Sequence, residues 1–395
     1  MSRLEELIQQ YCPDGVEYKR LGEITTILRG KRLTKSQLSN DKPYAVYHGG
    51  LEPLGYYESA NRTANTTMII NVGASAGTIG YSKEDFWSSD GCYCIEHSAS
   101  FDDRYIYYVL QTQEQQLKSK VRVAGIPTLD RPVVEDLLVP VPPLPVQEEI
   151  VRILDNFAEL QAELQAELQK RLQQYEYYRD KLLSFSDLSN WGGQEVSVEW
   201  KKLEEIATDW YRGAGIKRDE VCEEGIPCIR YGEIHTTYNI WFDECVSHTD
   251  ESKQPSKKYA NNGDILFAIT SEDIPFIGNS VAYIGENKIM VGGDIVVMKH
   301  NQNPKYLSYA LSTTDAVLQK GKGKVKSKVV HTNVPSLKEI VVPIPSLEEQ
   351  ERIATILDKF YALTTDITAG LPAEIEARRK QYEYYRDKLL TFKQK

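Results

Sequence analysis

The sequence has little of the features that mark membrane, secreted or disulfide-stabilised proteins. It contains no apolar run of 18 residues, so we expect no membrane-spanning helix. The N-terminal stretch is charged and amphipathic, without the apolar core of a signal peptide. Six cysteines at irregular spacing in 395 residues do not predict a disulfide scaffold. We therefore expect a cytoplasmic protein with reduced thiols and no contact with a membrane.

Motifs for catalysis and nucleotide binding are missing as well. We find no Asn/Asp-Pro-Pro-Tyr/Phe methyltransferase motif and no Walker A loop. Cys92 and Cys94 lie close to His97, but no second ligand pair completes a four-ligand metal site, so we expect core thiols. These absences disfavour a stand-alone enzyme.

Basic residues are outnumbered by acidic ones, 47 to 57. The formal net charge is −10, which by itself argues against a protein that binds nucleic acid through its overall field. A contact with DNA would have to come from local basic patches.

The sequence does contain an internal repeat. Residues 174–185 read QYEYYRDKLLSF, residues 381–392 read QYEYYRDKLLTF, and eleven of the twelve positions agree. Residues 16–24 have a similar partner in residues 198–206. The chain therefore consists of two related halves.

Each half begins with a block of mixed pattern. Neither block shows the β-α-β alternation of a doubly wound sheet, so we expect an α+β fold. We predict strands at residues 67–72, 92–96, 227–234, 264–270, 281–284 and 294–299, and helices at residues 3–11, 105–120 and 304–319.

Each block ends in a proline-rich strap followed by a long amphipathic helix. The straps, residues 139–145 and 342–347, are predicted to be extended. The first helix, residues 146–185, contains three AELQ units, and its leucines at i+4 steps form an apolar seam. Residues 370–372 read Gly-Leu-Pro and should interrupt the second helix. Two such helices most simply pair antiparallel.

Together these features resemble the specificity (S) subunit of type I restriction–modification systems. The resemblance rests on the N-terminal LEELIQQYCPDGVEYKRLGEI, the straps with their helix starts, the paired QYEYYRDKLL, and PCIRYGEI with GDILFA in the second block. The first block departs from this pattern, because residues 44–50 lack the arginine of PCIRYGEI.

The resemblance implies two globular α/β-type target-recognition domains joined by two long antiparallel coiled-coil helices with pseudo-twofold symmetry. The expected regions are an N-terminal helix (1–15), domain 1 (16–138), strap and helix 1 (139–188), domain 2 (189–341), and strap and helix 2 (342–395).

The resemblance also implies a function and partners. Each domain would read one half of a bipartite site in double-stranded DNA, without a catalytic site in this chain. Two methylation subunits would use S-adenosylmethionine to methylate adenine, and restriction subunits would use ATP and Mg. The alternatives are the specificity subunit of a related fused restriction–methylation system, or a coiled-coil DNA-binding scaffold without enzyme partners.

Basic clusters supply the candidate DNA contacts, because arginine and lysine bind guanine edges and phosphates. The alternative for each cluster is an ordinary solvated loop. Residues 73–78 could approach DNA or form a tight hairpin. In the first block the candidates are Arg29, Lys31, Arg32, Lys35, Ser75, Lys118, Lys120 and Arg122.

The second block has matching candidates, of which Arg230 and Tyr231 are expected near bases. On a strand, Tyr231 would face away from Arg230 and Glu233. Lysines at every second position of an extended chain would share one face and form a phosphate track, or a flexible exposed loop. The candidates are Tyr211, Arg212, Lys217, Arg218, Arg230, Tyr231, Lys320, Lys322, Lys324, Lys326 and Lys328.

The duplicated QYEYYRDKLL segments are too aromatic and apolar for a solvated helix end. They could pack between the helices and against residues 3–11, or dock the methylation subunits, two copies of one partner on two equivalent sites. The docking candidates are Tyr175, Tyr178, Leu182, Tyr382, Tyr385 and Leu389.

Overall fold

A computed structural model describes residues 2–96, 99, 101–186, 197–322, 329–365 and 370–395. The chain forms two compact units. Unit 1 comprises residues 1–165 and 374–395, and unit 2 comprises residues 166–373. Among the described residues, no helix is both long enough and apolar enough to cross a membrane.

Most helices are short and connect short strands, whereas α6 in the middle of the chain has 41 residues. In chain order they are α1 Arg3–Tyr11, α2 Leu21–Ile24, α3 Asp103–Thr112, α4 Glu114–Ser119, α5 Arg131–Glu135, α6 Leu144–Ser184, α7 Leu203–Ile206, α8 Tyr231–Thr236, α9 Pro304–Ser312, α10 Thr314–Gly321, α11 Val334–Lys338, α12 Leu347–Thr365 and α13 Gly370–Leu389.

The strands of unit 1 are β1 Tyr18–Arg20, β2 Ile27–Arg29, β3 Tyr44–Tyr47, β4 Gly55–Tyr57, β5 Thr66–Ile70, β6 Ile79–Ser82, β7 Trp87–Ser88, β8 Cys92–Ile95 and β9 Leu138–Pro140. They form a four-stranded sheet, β2-β8-β5-β6, a three-stranded sheet, β4-β3-β7, and the pair β1-β9.

The strands of unit 2 are β10 Glu199–Lys202, β11 Ala207–Arg212, β12 Val221–Cys222, β13 Ile226–Ile229, β14 Trp241–Phe242, β15 Ser247–Thr249, β16 Tyr259–Ala260, β17 Ile265–Ala268, β18 Thr270–Ser271, β19 Ser280–Tyr283, β20 Ile289–Val291, β21 Ile295–His300, β22 Val330–His331 and β23 Val341–Ile344. The main sheets are β11-β21-β17-β19-β14 and β12-β15-β13-β20-β16. The α+β fold and the strands predicted in both blocks are confirmed, apart from residues 227–234.

The duplicated entrance and the proline strap of each unit pair with each other. In unit 1, β1 runs antiparallel to β9, with Tyr18 opposite Pro140. In unit 2, β10 runs antiparallel to β23, with Glu199 opposite Ile344. Proline is tolerated in these two-stranded ribbons because an edge strand has one side free of ladder bonds. The extended straps are confirmed for residues 139–143 and 342–346, whereas Leu144, Pro145 and Leu347 already belong to α6 and α12.

The repeat extends to individual hydrogen bonds at the start of the long helices. Gln147 is fully buried, accepts a bond from Asp102 N at 2.9 Å and donates to Pro142 O at 2.7 Å. Gln350 is fully buried and accepts from Asn303 N and donates to Pro345 O, both at 2.9 Å. Since Asp102 and Asn303 cap α3 and α9, each glutamine ties a strap to the start of α3 or α9.

The long helices pack within each unit. In unit 1, Phe157 of α6 stacks on Tyr385 of α13, with ring centroids 5.6 Å apart. In unit 2, Tyr175 of α6 lies 6.1 Å from Tyr361 of α12, and a cavity of about 150 Å³ brings Leu182 next to Leu357. Residue numbers rise along α6 while those of its neighbours fall, so α6 and α12 run antiparallel, as predicted.

The long helix α6 is confirmed, with 41 residues. Its seam is only partly buried: Ile150 and Leu154 are in the core of unit 1, whereas Leu160 is exposed. Steps of four residues rotate by about 40° relative to the helical repeat of 3.6. Leucines repeated at i+4 therefore drift around the helix and cannot all remain on one face.

Two predicted helices are each divided into two. Residues 105–120 form α3 and α4, which meet at Gln113, and residues 304–319 form α9 and α10, which meet at Thr313. The Thr313 hydroxyl accepts a hydrogen bond from Ala316 N at 3.3 Å and caps α10. A capping side chain of this kind offers the backbone an alternative to a continuous helix.

The strand predicted at residues 227–234 is wrong in its second half. β13 ends at Ile229 and α8 begins at Tyr231. The buried Glu233 carboxylate accepts from Arg230 N at 2.9 Å and thus closes the first turn of α8. The expected strand alternation of Arg230 and Tyr231 therefore does not apply.

The predicted interruption of the second long helix is supported by Gly370, whose φ of +73° is left-handed and does not occur inside a continuous α-helix. The structure describes α12 Leu347–Thr365 and α13 Gly370–Leu389, with residues 370–372 in the first turn of α13. Residues 366–369 lie outside the described residues. Pro372 is tolerated there because the first turn of a helix has unpaired N–H groups in any case.

Candidate nucleic-acid interface

In unit 1, the first strand of the main sheet ends in an arginine, and a glycine follows it. Arg29 ends β2, and its Nε donates to Asp90 O at 3.2 Å. A Cβ at Gly30 would collide with the backbone carbonyl oxygen of Ser88. Glycine thus lets the chain cross the turn between β7 and β8 at contact distance, and Arg29 is placed beside that turn.

Unit 2 repeats this construction. Arg212 ends β11, its Nε donates to Gly293 O, and its Nη2 lies 2.6 Å from Asp294 Oδ1. A Cβ at Gly213 would collide with Gly292 O. The Arg-Gly pairs that the sequence offered as DNA contacts therefore occupy equivalent places in two equivalent units.

Strand register identifies a second pair of equivalent residues in the two units. β3 pairs in parallel with β7, with Tyr47 opposite Ser88, and β13 pairs in parallel with β20, with Ile229 opposite Val291. The residue after β3 is His48 and the residue after β13 is Arg230. The structure thus identifies a histidine where the first block lacked the arginine.

Both side chains are held by acidic or polar neighbours. His48 Nδ1 lies 3.2 Å from Ser89 Oγ and 3.4 Å from Asp90 Oδ1. Arg230 Nη2 lies 3.4 Å from the buried Glu233 carboxylate. A carboxylate beside a guanidinium restricts its rotamers and leaves other N–H groups free to donate, because arginine has five.

In unit 2 these residues line a cleft of about 900 Å³. Its walls include Arg212, Arg218, Arg230, Tyr231 and Asp294. Tyr231 also lines an adjoining cleft of about 460 Å³. The first turn of α8 therefore separates two concave surfaces, one of them carrying three arginines.

In unit 1 the loop between β5 and β6 reaches the same face. A Cβ at Gly49 would lie 3.2 Å from Val72 O, and one at Gly91 would lie 2.7 Å from Val72 Cγ1. The loop is a tight turn: Ala76 N donates to Gly73 O at 3.0 Å, and Gly73 has a φ of +91°. This confirms the hairpin interpretation of residues 73–78.

Comparison with known proteins identifies the family. Residues 13–174 and 195–377 match the family described as the type I restriction modification DNA specificity domain. A putative type I restriction enzyme specificity subunit of Haemophilus influenzae is 30% identical over 98% of this chain and 98% of its own length. The chain belongs to the type I restriction–modification specificity subunits.

Other relatives agree with this assignment. The EcoR124I/EcoR124II specificity subunit of Escherichia coli is 35% identical over 63% of this chain and 60% of its own length. The S subunit structure from M. genitalium has a TM-score of 0.50 at 18% identity, covering 95% of this chain and 96% of that chain. A chain from a structural study of type I complex assembly has a TM-score of 0.58 at 16% identity, covering 96% and 98%.

Several predicted contacts in the first specificity domain lie on exposed surface. Lys31, Arg32 and Lys35 are exposed. Lys118 pairs with Glu114 at 2.5 Å and Arg122 with Asp130 at 2.9 Å. Exposed Lys120 ends α4, and half-buried Ser75 lies in the β5–β6 turn. Their contact with DNA remains a prediction.

The predicted lysine track is wrong where the structure describes it. Lys118 and Lys320 belong to helices α4 and α10, so the period of two does not place them on one face. Lys320 is buried, and its ammonium donates to Leu311 O at 2.8 Å. Burial lowers the pKa of Lys320 to about 7, so it is not placed to meet a phosphate. Lys322 caps α10; Lys324, Lys326 and Lys328 lie outside the described residues.

The remaining second-domain candidates divide between the cleft and the interior. The cleft is lined by Arg212, Arg218, Arg230 and Tyr231. Lys217, which precedes Arg218 in the sequence, is exposed. The prediction that Tyr211 contacts DNA is wrong. Its hydroxyl donates to Tyr259 O at 2.5 Å, and its ring packs on the core between the sheets. Adjacent strand residues point to opposite faces, so Tyr211 cannot accompany Arg212.

The predicted docking residues are partly internal. Tyr175 and Leu182 are buried in the core of unit 2, and Tyr382 and Leu389 pack on the core of unit 1. A partner cannot reach Tyr175 or Leu182 in this structure, which corrects those two expectations. Tyr178 and Tyr385 are at the surface, 38% and 37% exposed. The second segment, residues 381–392, also shares the core of unit 1 with Leu4 of α1, as the alternative interpretation predicted.

Sequence reasoning missed other residues of these surfaces. Asp294 lines the cleft of unit 2, and only strand register relates His48 to Arg230. Tyr177 and Tyr384 are 59% and 60% exposed, more than any of the predicted docking residues. Their signal was present in the sequence, since the two tyrosines occupy the same position in the repeat.

Proposed function

We propose that this chain is the non-catalytic subunit that gives a type I restriction–modification complex its DNA specificity. Each specificity domain reads one half of a bipartite site. The observation that carries the proposal is the duplicated arginine–glycine turn at Arg29-Gly30 and Arg212-Gly213, with His48 and Arg230 at matched positions beside it. Two similar reading faces in one chain suit two half-sites.

The chemistry of the faces supports DNA as the ligand. Arginine donates two parallel bonds to guanine O6 and N7, and lysine or arginine binds phosphate. The two faces differ at the His48/Arg230 position, so the two half-sites should differ in sequence. The lysine and arginine side chains of these faces attract DNA there, because the net charge of −10 disfavours contact with the rest of the chain.

The helices would set the spacer and dock two methylation subunits. The exposed tyrosines Tyr177, Tyr178, Tyr384 and Tyr385 occur in duplicate, and two equivalent surfaces suit two copies of one adenine-N6 methyltransferase. S-adenosylmethionine would belong to those subunits, and ATP and Mg to the restriction subunits. In this proposal the chain itself holds no cofactor.

The test is reconstitution with a type I methylation subunit from the same host. Methylome sequencing of a host that carries both genes should show one bipartite adenine-methylated motif, absent when this gene is deleted. Arg230→Ala should relax or abolish the half-site read by unit 2, and Arg29→Ala should affect the other half-site. Unchanged methylation after deletion would favour a scaffold without enzyme partners, and methylation by the purified chain alone would overturn the non-catalytic assignment.

A further inference from the structure

A short hairpin of unit 1 carries two exposed apolar side chains. Arg122 N donates to Thr128 O at 2.9 Å, and the return bond is 3.0 Å. Between them Gly125 has a φ of +85° and reverses the chain. Val123 and Ile126 are 81% and 71% exposed. We call residues 122–128 the tip hairpin.

The tip hairpin is fastened beside the proposed reading face. Gly73 N donates to Pro127 O at 2.9 Å, and Leu129 N donates to Asn71 O at 2.9 Å. Residues 71–73 are the same segment that lies against the loop after His48. The exposed tip is therefore held by backbone hydrogen bonds and is not a free loop end.

The surroundings of the tip hairpin are basic. Residues 117–131 contain four lysines or arginines and one acid, in a chain of net charge −10. Lys118, Arg122 and Arg131 form exposed ion pairs with carboxylates of the same unit. Exposed pairs of this kind contribute about 0–1 kcal/mol, so a phosphate can replace the carboxylate at little cost.

An apolar tip between basic side chains has a known physical use on DNA. Proteins that kink a duplex insert Ile, Leu, Phe or Met between two base pairs, and neighbouring cations hold the phosphates on either side. A rigid tip suits this role, because inserting it costs little conformational entropy. Single exposed apolar residues need no explanation, but here two share one turn.

We infer that the tip hairpin is a wedge that enters the DNA beside the half-site read by unit 1. Val123 and Ile126 unstack one base-pair step, and Lys120 and Arg122 contact the flanking phosphates. The inference rests on the proposed function. It adds a recognition mode, in which the ease of unstacking a step is read without hydrogen bonds to base edges.

The test uses the full chain assembled with its methylation subunits. The duplex carries the site found by methylome sequencing, with 2-aminopurine placed in turn at each step in and beside the half-site of unit 1. Wild-type complex should raise the fluorescence at one step. Val123→Ser with Ile126→Ser should abolish that signal and weaken binding about tenfold, the ratio that corresponds to 1.4 kcal/mol.

Two variants serve as controls. Leu138→Ser removes another exposed apolar side chain of unit 1, on β9, and should leave fluorescence and affinity unchanged. Val123→Ala with Ile126→Ala should fall between wild type and the serine variant. Thermal melting of all variants should match wild type, since both tip side chains are at the surface.

The possible failures are distinguishable. Wild-type affinity and fluorescence in the serine variant would overturn the wedge and leave the proposed function standing. Loss of methylation subunits in native mass spectrometry, with normal DNA binding by the complexes that still form, would make the tip hairpin a protein contact and also overturn it. If wild-type complex shows no site-specific binding, the proposed function and the wedge both fail.

Discussion

At the scale of single residues, the duplicated half-chains use the same polar contacts. Asp155 accepts from Arg104 Nε at 2.8 Å and from Tyr108 Oη at 2.5 Å. Its counterpart Asp358 accepts from Lys305 Nζ and Tyr309 Oη. Asp155 thus joins α6 to α3, and Asp358 joins α12 to α9. The two units therefore share side-chain hydrogen bonds as well as a backbone fold.

The buried glutamines give the first prediction. Gln147→Leu leaves Asp102 N and Pro142 O without a partner, and each unsatisfied buried group costs about 1–3 kcal/mol. We expect the variant to lower the free energy of unfolding of the full chain by that order, measured by urea denaturation. Gln165→Leu, on the exposed side of α6, is the matched control. Equal losses in the two variants would contradict the role of Gln147.

A histidine gives the second prediction, on acid stability. Burial lowers the pKa of His300 to about 4, and its Nδ1 accepts from Gln302 N at 3.0 Å. The folded protein then binds fewer protons than the unfolded chain between about pH 6.5 and 4, so stability is present above that window and is lost as pH falls through it. The loss is at most about 3 kcal/mol.

His300→Gln keeps an acceptor but cannot become charged. We expect its free energy of unfolding to fall less than that of wild type between pH 6.5 and 4. The comparison at pH 8 gives the packing cost of the substitution alone. Parallel pH profiles for the two proteins would show that His300 does not govern acid stability.

At the scale of elements, α6 contains a sequence that repeats in units of four. Its AELQ array lies between the strap and the QYEYYRDKLL segment, where α12 and α13 are instead interrupted. A four-residue unit adds about 6 Å to a helix and rotates the rest of the helix by about 40°. The number of units is therefore a natural means of adjusting distance.

Deletion of residues 162–165 is the third prediction. It shortens α6 by about 6 Å, near two base-pair rises of about 3.4 Å each. The spacer between the half-sites should change while both half-sites keep their sequences, as read by methylome sequencing. Glu163→Gln with Glu167→Gln alters the same stretch at constant length and should leave the spacer intact. An unchanged spacer in the deletion variant would count against a ruler.

At the scale of the whole molecule, each unit has its own core and its own proposed reading face. The cores of unit 1 and unit 2 are built from separate sets of residues. Each unit also receives one QYEYYRDKLL copy, unit 1 from the end of the chain and unit 2 from the end of α6. Independent cores predict independent reading.

A block exchange is the fourth prediction. Replacing residues 207–330 with the corresponding block of another family member should change one half-site and leave the other, because the core and the proposed reading face of unit 1 are untouched. Replacing residues 25–125 should change only the opposite half. Methylome sequencing of both chimaeras measures this, and a change in both half-sites from one exchange would refute independent reading.

Much of this organisation could be predicted from the sequence, because repeats and periodicity are local signals. The straps, α1 and α6 follow from proline spacing and a 3.6-residue pattern. The divided helices at Gln113 and Thr313 could not, since one capping residue decides them. α8 was missed for a similar reason: Glu233 three residues after Arg230 is a cap signal inside an apolar, strand-like stretch.

The candidate site was predictable in part. Arg29 was found from its basic cluster, Arg212 from the matching cluster of the second block, and Arg230 from its motif. His48 was not found as the counterpart of Arg230, because parallel pairing of β3 with β7 and of β13 with β20 joins segments about 40 to 60 residues apart. Lys320 and Tyr211 were misplaced because charge or aromaticity does not reveal burial.

The sequence by itself determined the duplication, the α+β class, the extended straps and the long helix, because each depends on local pattern and turn chemistry. Only the tertiary structure decided which repeated residues face solvent: Tyr177 and Tyr384 are exposed, whereas Tyr175 and Leu182 are buried. It also decided that His48 and Arg230 are equivalent and that Val123 and Ile126 stand exposed beside a basic face. These outcomes depend on contacts between distant segments, which no local pattern encodes.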